Sequence, residues 1–179
     1  HSGRNAFRKT LTDLGYPGLD DATVNTLFRQ FKDLCDRKRH VTSDDILALV
    51  DTETSRVPAT YTLDSVQFQS GSGLIPVATV RLITDTGTYE EAATGDGPVD
   101  AVYKALERIS QIPIELDSYE IRSVGSGKDA LGEVTVRAES EGRMITGRGL
   151  STDVLEASAH AYVDVLNKLA AGLVRTPEK

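Results

Sequence analysis

The feature that most restricts this chain is that its second two-thirds repeats itself. TLDS at residues 62–65 returns as ELDS at 115–118, and GDG at 95–97 returns as GRG at 147–149, in the same order and at offsets of 53 and 52. Each copy reads strand, strand, strand, helix. Val66 and Phe68 alternate with polar residues, as do Ala78, Val80 and Leu82, and later Val134, Val136 and Ala138, which is strand periodicity. Val99, Val102, Tyr103, Leu106 and Ile109 return to helical spacing, and so do Ser158, Tyr162, Val165 and Leu169. A unit this short has few apolar faces to spare, so two copies are expected to share one core. A helix covers one face of each three-stranded sheet; the other face calls for the second copy or another chain. Paired repeats of this kind suit a binding module with its site at the shared interface.

The first fifty residues carry only helical periodicity. Phe7, Leu11 and Leu14 mark a short helix that Gly15 can end in a left-handed conformation. Val24, Leu27, Phe28, Phe31, Leu34 and Cys35 mark a second, with Asp20 or Asp21 as its cap. A third begins near Thr42, with Asp44 and Asp45 in its first turn and Ile46, Leu47 and Val50 as its apolar side. DTETSRVPAT, residues 51–60, is polar, contains Pro58 and lacks periodicity, and reads as a linker. The expected fold class is therefore α+β: a small helical linker subdomain over residues 1–55, then a domain over 61–175 built from a pseudo-twofold pair of βββα units, 61–111 and 114–171.

Charge and cysteine usage narrow the function. A net charge of −7 argues against nucleic acid as the main partner, which needs a basic face to displace counterions. The basic run Arg37, Lys38, Arg39 and His40 reads as a solvated helix end. The one cysteine, Cys35, allows no intrachain disulfide, fits a reducing compartment, and by its spacing is expected to be buried. No apolar run reaches the length of a bilayer span and no signal peptide is visible, so a cytoplasmic location is expected. The chain opens directly into a helical pattern, which reads as a piece of something longer.

Catalytic constellations are missing from the sequence. His1, His40 and His160 lie far apart with no zinc-type spacing, and Ser151 lacks a nucleophile-elbow context. Glu90 and Glu91 read as one strand's two faces. The sharpest local motif is GDGPVDA, residues 95–101. Its glycines permit close backbone approach, Pro98 suits a first helical turn, and the helix that follows offers unpaired N–H groups to a carboxylate or phosphate. A tight strand-to-helix turn without a ligand explains the same residues. In the second copy, Ser151, Thr152 and Asp153 read as helix caps. GSGKDALGEV, residues 125–134, is either a plain hairpin or a loop that covers a small ligand. It is not a Walker loop, because Asp129 follows Lys128 where Ser or Thr is required.

Several segments resemble one family. HSGRNAFRKTLTDLGY looks like the stretch that follows the catalytic barrel in bacterial and plant 2-isopropylmalate synthases, and RQFKDLCDRKRHVTSDDILALV resembles their helical linker subdomain. YTLDSVQFQSGS, GDGPVDAVYKALERI, GKDALGEV and GRGLSTDVLEASAHAYVDVLNKL resemble their C-terminal allosteric domain, so the likeness runs from His1 to about Ala171. The resemblance implies a homodimeric regulatory region that binds L-leucine as feedback inhibitor. The parent acyltransferase condenses acetyl-CoA with 3-methyl-2-oxobutanoate. Its divalent metal, Mn or Mg, sits in a catalytic barrel outside this chain. No cofactor is implied for the chain itself, which alone should be inactive.

Carried over by motif, the implied leucine contacts are Gly95, Asp96, Gly97, Pro98, Val99 and Ala101, with Asp129, Ala130, Leu131 and Gly132 on a facing loop. Asp96 or Asp129 would meet the ligand's ammonium. Val99, Ala101 and Leu131 would form a shallow pocket for the isobutyl group. The rival readings are an isoleucine-sensing citramalate synthase domain of the same architecture and a purely structural dimerisation module.

Overall fold

The computed structural model describes residues 2–54, 59–124 and 131–172. Three helices come first: α1 (Ser2–Asp13), α2 (Asp21–Arg37) and α3 (Ser43–Thr54). Two βββα units follow. The first holds β1 (Thr62–Gln69), β2 (Val77–Thr84), β3 (Gly87–Thr94) and α4 (Pro98–Ser110). The second holds β4 (Glu115–Val124), β5 (Leu131–Ser140), β6 (Arg143–Ser151) and α5 (Val154–Ala170).

The helical part closes on its own small core of Phe7, Leu11, Leu19, Val24, Leu27, Ile46 and Val50, in which Phe7 stacks on Phe31 at 4.9 Å. Local chemistry sets its boundaries. After α1, Gly15 takes φ 99°, and the N–H groups of Gly15 and Tyr16 donate to the carbonyls of Thr12 and Leu11. This pattern satisfies the last turn of the helix. Asp20 caps α2 by accepting from Thr23 N–H at 2.8 Å. Thr42 and Asp45 exchange bonds at the start of α3: Thr42 N–H donates to Asp45 at 2.9 Å, and Asp45 N–H donates to Thr42 Oγ1 at 3.2 Å.

Two expectations fail here. Residues 51–54 belong to α3 instead of a linker, because Thr54 is buried and returns its hydroxyl to the Val50 carbonyl at 2.8 Å. Pro58, on which the linker reading rested, lies outside the described residues. Cys35 is exposed, on the solvent side of α2. The apolar stripe of that helix narrows after Leu27, and only Val24 and Leu27 are fully buried.

Both sheets are antiparallel, in the orders β1-β2-β3 and β4-β5-β6. A single core holds Ala78, Val80 and Leu82 of the first sheet, Val134, Val136 and Ala138 of the second, and the apolar sides of α4 and α5. The two units therefore meet through their helix-covered sides, and Tyr103 of α4 stacks on Tyr162 of α5 at 4.7 Å. The outer sheet faces stay free of each other.

One of the two sequence matches is structural and the other is not. The register slips between Leu63 and Ser65 in β1 and between Leu116 and Ser118 in β4, so TLDS and ELDS mark the same β-bulge. GDG, by contrast, lies at the β3–α4 turn, whereas GRG lies inside β6. The helix caps Gly97 and Asp153 are true counterparts, 56 residues apart, so GDGPVDA corresponds to STDVLEA at 151–157. GRG is glycine for another reason. A methyl on Gly147 or Gly149 would overlap backbone atoms of α5 at Ala157 and Ala161. Strand β6 is thus pressed directly onto its helix. The free edge of β6 is tied to the same helix: Arg148 N–H donates to Asp164 at 2.9 Å, and Lys168, only 3% exposed, donates to the Thr146 carbonyl at 2.6 Å.

Candidate functional site

The β3–α4 turn is built from the inside out. Gly95 N–H donates to the Pro76 carbonyl at 3.1 Å, which fastens the turn to the β1–β2 loop. A methyl on Gly95 would strike the Ala101 backbone and lie 2.8 Å from the Asp100 carboxylate, so only glycine fits. Ala101 is fully buried and forms the wall behind Gly95. Asp96 is exposed, and its N–H donates to Asp100 at 2.8 Å. Asp100 also pairs with Lys104 at 3.0 Å. The Asp96 N–H, then the Lys104 ammonium, hold the Asp100 carboxyl below its ordinary range.

Gly97 occupies the cap position with extended backbone and no side-chain bond, and a side chain there would meet nothing within 4 Å. Pro98 follows in the first turn, lacking an N–H of its own. The start of α4 therefore has no side-chain cap for its first N–H groups, and the space where a Gly97 side chain would stand is open. Val99 lies half-buried beside them and helps line a groove of about 460 Å³ with Tyr103, Ile114, Leu116 and Tyr162. The Tyr103 and Tyr162 hydroxyls are buried without a hydrogen-bond partner among the described residues, and burial pushes both hydroxyl pKa values up.

The second group of candidate residues sits elsewhere. Leu131 and Gly132 open β5, where Leu131 pairs with Val124 and Gly132 with Ser151. A methyl on Gly132 would lie 3.1 Å from Val154, so this position belongs to the second unit's own strand-to-helix turn. Asp129 and Ala130 lie outside the described residues. Among the described residues, no hydrogen bond or ion pair joins residues 95–101 to Leu131 or Gly132. The neighbour of the first turn is instead the loop before β2, where Leu74 and Ile75 stand 63% and 70% exposed. The sequence carried a signal for that loop, since GSG occurs at both 71–73 and 125–127. Asp100, missed as a turn-former, stands three residues after the cap, the spacing from which a carboxylate reaches back. Tyr103 and Tyr162 gave no sign of their role, because helical spacing alone explained them.

Among the described residues no three of His, Cys, Asp and Glu gather as a metal site, and no helix is long and apolar enough to cross a membrane. The sequence model of the LeuA allosteric (dimerisation) domain matches residues 40–170. The chain is 51% identical over 170 residues to a 2-isopropylmalate synthase of Brevibacillus brevis, and 49% identical over 170 residues to one of Carboxydothermus hydrogenoformans. It is 46% identical over 174 residues to one of a Picosynechococcus species. These alignments cover 94–97% of the chain but only 32–33% of the relatives, so the chain spans about a third of their length. With its paired βββα units and the match over residues 40–170, the chain belongs to the LeuA allosteric (dimerisation) domain family.

Proposed function

We propose that this chain is the L-leucine-sensing, dimer-forming regulatory part of a 2-isopropylmalate synthase, the acyltransferase that condenses acetyl-CoA with 3-methyl-2-oxobutanoate. The observation that carries the reading is the uncapped start of α4 at Gly97, open to solvent and bordered by an apolar groove. A helix start of this kind accommodates a carboxylate through N–H donors and the positive end of the helix dipole. In this reading the ligand carboxylate accepts from Val99 and Asp100 N–H, and Val99 contacts the isobutyl group. Asp96 or Asp129 meets the ammonium, because Asp100 is already engaged by Lys104 and the Asp96 N–H. Catalysis and the divalent metal of the parent enzyme fall to residues outside this chain.

Calorimetry with leucine, isoleucine and valine tests the assignment. Leucine is expected to bind more tightly than its isomer. Preference for isoleucine would point to a citramalate synthase domain, and no heat from any of the three to a structural dimerisation module. Gly97→Trp gives a second check, since its side chain enters open space. It should leave the melting temperature and the sedimenting dimer unchanged while leucine binding disappears. Undiminished binding would move the site away from this turn.

A further inference from the structure

Helix α3 has two working faces. Ile46, Val50 and Thr54 are buried on one of them, with Ile46 and Val50 in the helical core. Asp44, Leu47, Ala48 and Asp51, at helical i, i+3, i+4 and i+7 spacing, line a cleft of about 800 Å³ on the other. The opposite wall is the outer face of the second sheet, with Arg137 of β5 and Met144, Thr146 and Arg148 of β6. Arg148 reaches Asp51 across the cleft at 3.6 Å, and the Asp51 side chain is only 20% exposed. Asp44 and Arg137 are exposed and hold no ion pair among the described residues.

Spacing makes a second pair attainable. Arg137 stands opposite Thr146, two residues along β6 from Arg148, which places the two arginines diagonally about 8 Å apart. Asp44 and Asp51 are two turns apart on one helix face, about 10 Å. The reach of an arginine side chain exceeds the difference. Leu47, Ala48 and Met144 lie in the same cleft, incompletely covered, as apolar surface still to be buried. Glu120 shares the sheet wall but makes no ion pair with Arg137.

The geometry points to a closing joint between the helical part and the second βββα unit. The Arg148 to Asp51 pair is its engaged rung. Closure brings Asp44 onto Arg137 and buries Leu47, Ala48 and Met144 between them. The Arg148 backbone cannot move alone, because β6 is pressed onto α5 at Gly147 and Gly149 and bonded to it through Asp164 and Lys168. The joint therefore couples the orientation of a whole unit to α3. This inference does not depend on the ligand proposed above.

Pulsed electron-spin distance measurements test it, with one label on the native exposed Cys35 of α2 and one on Ala170→Cys at the end of α5. Arg148→Asp, Asp51→Arg and Arg137→Glu should each lower the short-distance population about threefold, the scale of one ion pair near the surface. The double reversal Asp51→Arg with Arg148→Asp should restore it. A salt titration of the wild-type chain reads the same equilibrium without any charge variant, and the short population should shrink as salt rises. Unchanged distances in the single reversals, a double reversal no closer to wild type, an inert Arg137→Glu, or salt independence would each overturn the joint.

Discussion

The two βββα units share a scaffold and differ at the strand-to-helix turn. In the second unit Asp153 caps α5, accepting from Leu155 and Glu156 N–H at 2.8 and 3.3 Å. In the first, Gly97 holds the same place and caps nothing. The edge strands show a similar contrast. Arg108 of α4 donates to the Ala92 carbonyl of β3, whereas Asp164, its counterpart on α5, accepts from Arg148 N–H of β6. Packing differs too, since β6 meets its helix through Gly147 and Gly149, whereas the counterpart of Gly149 in the first unit is Ala93. One copy satisfies its own helix start and closes tightly. The other leaves its helix start for something else to satisfy. Duplication lets one turn carry a side-chain cap while its twin goes without one.

The two units differ most at their helix–strand contacts. Gly149→Ala would force a methyl into the Ala157 carbonyl and the Ala161 amide, so strand and helix must separate. We expect a loss of about 3 kcal/mol in urea unfolding, typical of overpacking against backbone. The reciprocal change, Ala93→Gly, removes a buried methyl where it fits and should cost about 1 kcal/mol. Equal costs at the two positions would mean that the two units pack alike.

Much of this architecture was legible in the sequence, for identifiable reasons. Alternation at Ala78, Val80 and Leu82 and at Val134, Val136 and Ala138 marked the two central strands, whose inner faces are the most buried. The edge strand β3 was less visible, because all its residues but Ala93 are exposed. GDG and GRG looked like a repeat because glycine serves two unrelated needs: a turn pressed on Ala101, and a strand pressed on α5. No short match separates those causes. At the candidate site, the proline in the first helical turn and the unpaired N–H groups that follow were readable from the motif, whereas the cap position of Gly97 came from the structure. The Tyr103 and Tyr162 wall was not readable either, because it arises from contact between two helices 59 residues apart in sequence.

Exchanging the helix caps should have a smaller effect. Asp153→Ala should destabilise the chain by about 1 kcal/mol, the usual worth of a helix cap. Gly97→Asp should raise stability by only about 0.3 kcal/mol, because glycine is itself a tolerated cap residue. Its carboxylate would nevertheless occupy the N–H groups assigned to the ligand, and leucine affinity should fall more than about tenfold, or 1.4 kcal/mol. Gly97→Asp that binds leucine as the wild type does would show that the open turn is not where a carboxylate docks.

The mildest effect separates the helical part from the paired units. Asp45 accepts from Lys38 Nζ at 2.7 Å and from Thr42 N–H at 2.9 Å. The Lys38 ammonium first, then the Thr42 N–H, depress its carboxyl from the ordinary 3.8 to about 2. A depressed carboxylate contributes stability that is fully present above its unfolded pKa and is lost as pH falls through the folded one. The contribution of Asp45 should therefore be complete above about pH 5 and vanish toward pH 2. Asp45→Asn retains the shape of the cap but cannot titrate. Its melting temperature should lie slightly below wild type at neutral pH and converge with it in acid. High salt should narrow the gap, because the pair is solvent-facing. A gap that stays constant from neutral pH to pH 2 would mean that the Thr42 cap needs no charge on its partner, and that the two parts of the molecule respond to acid alike.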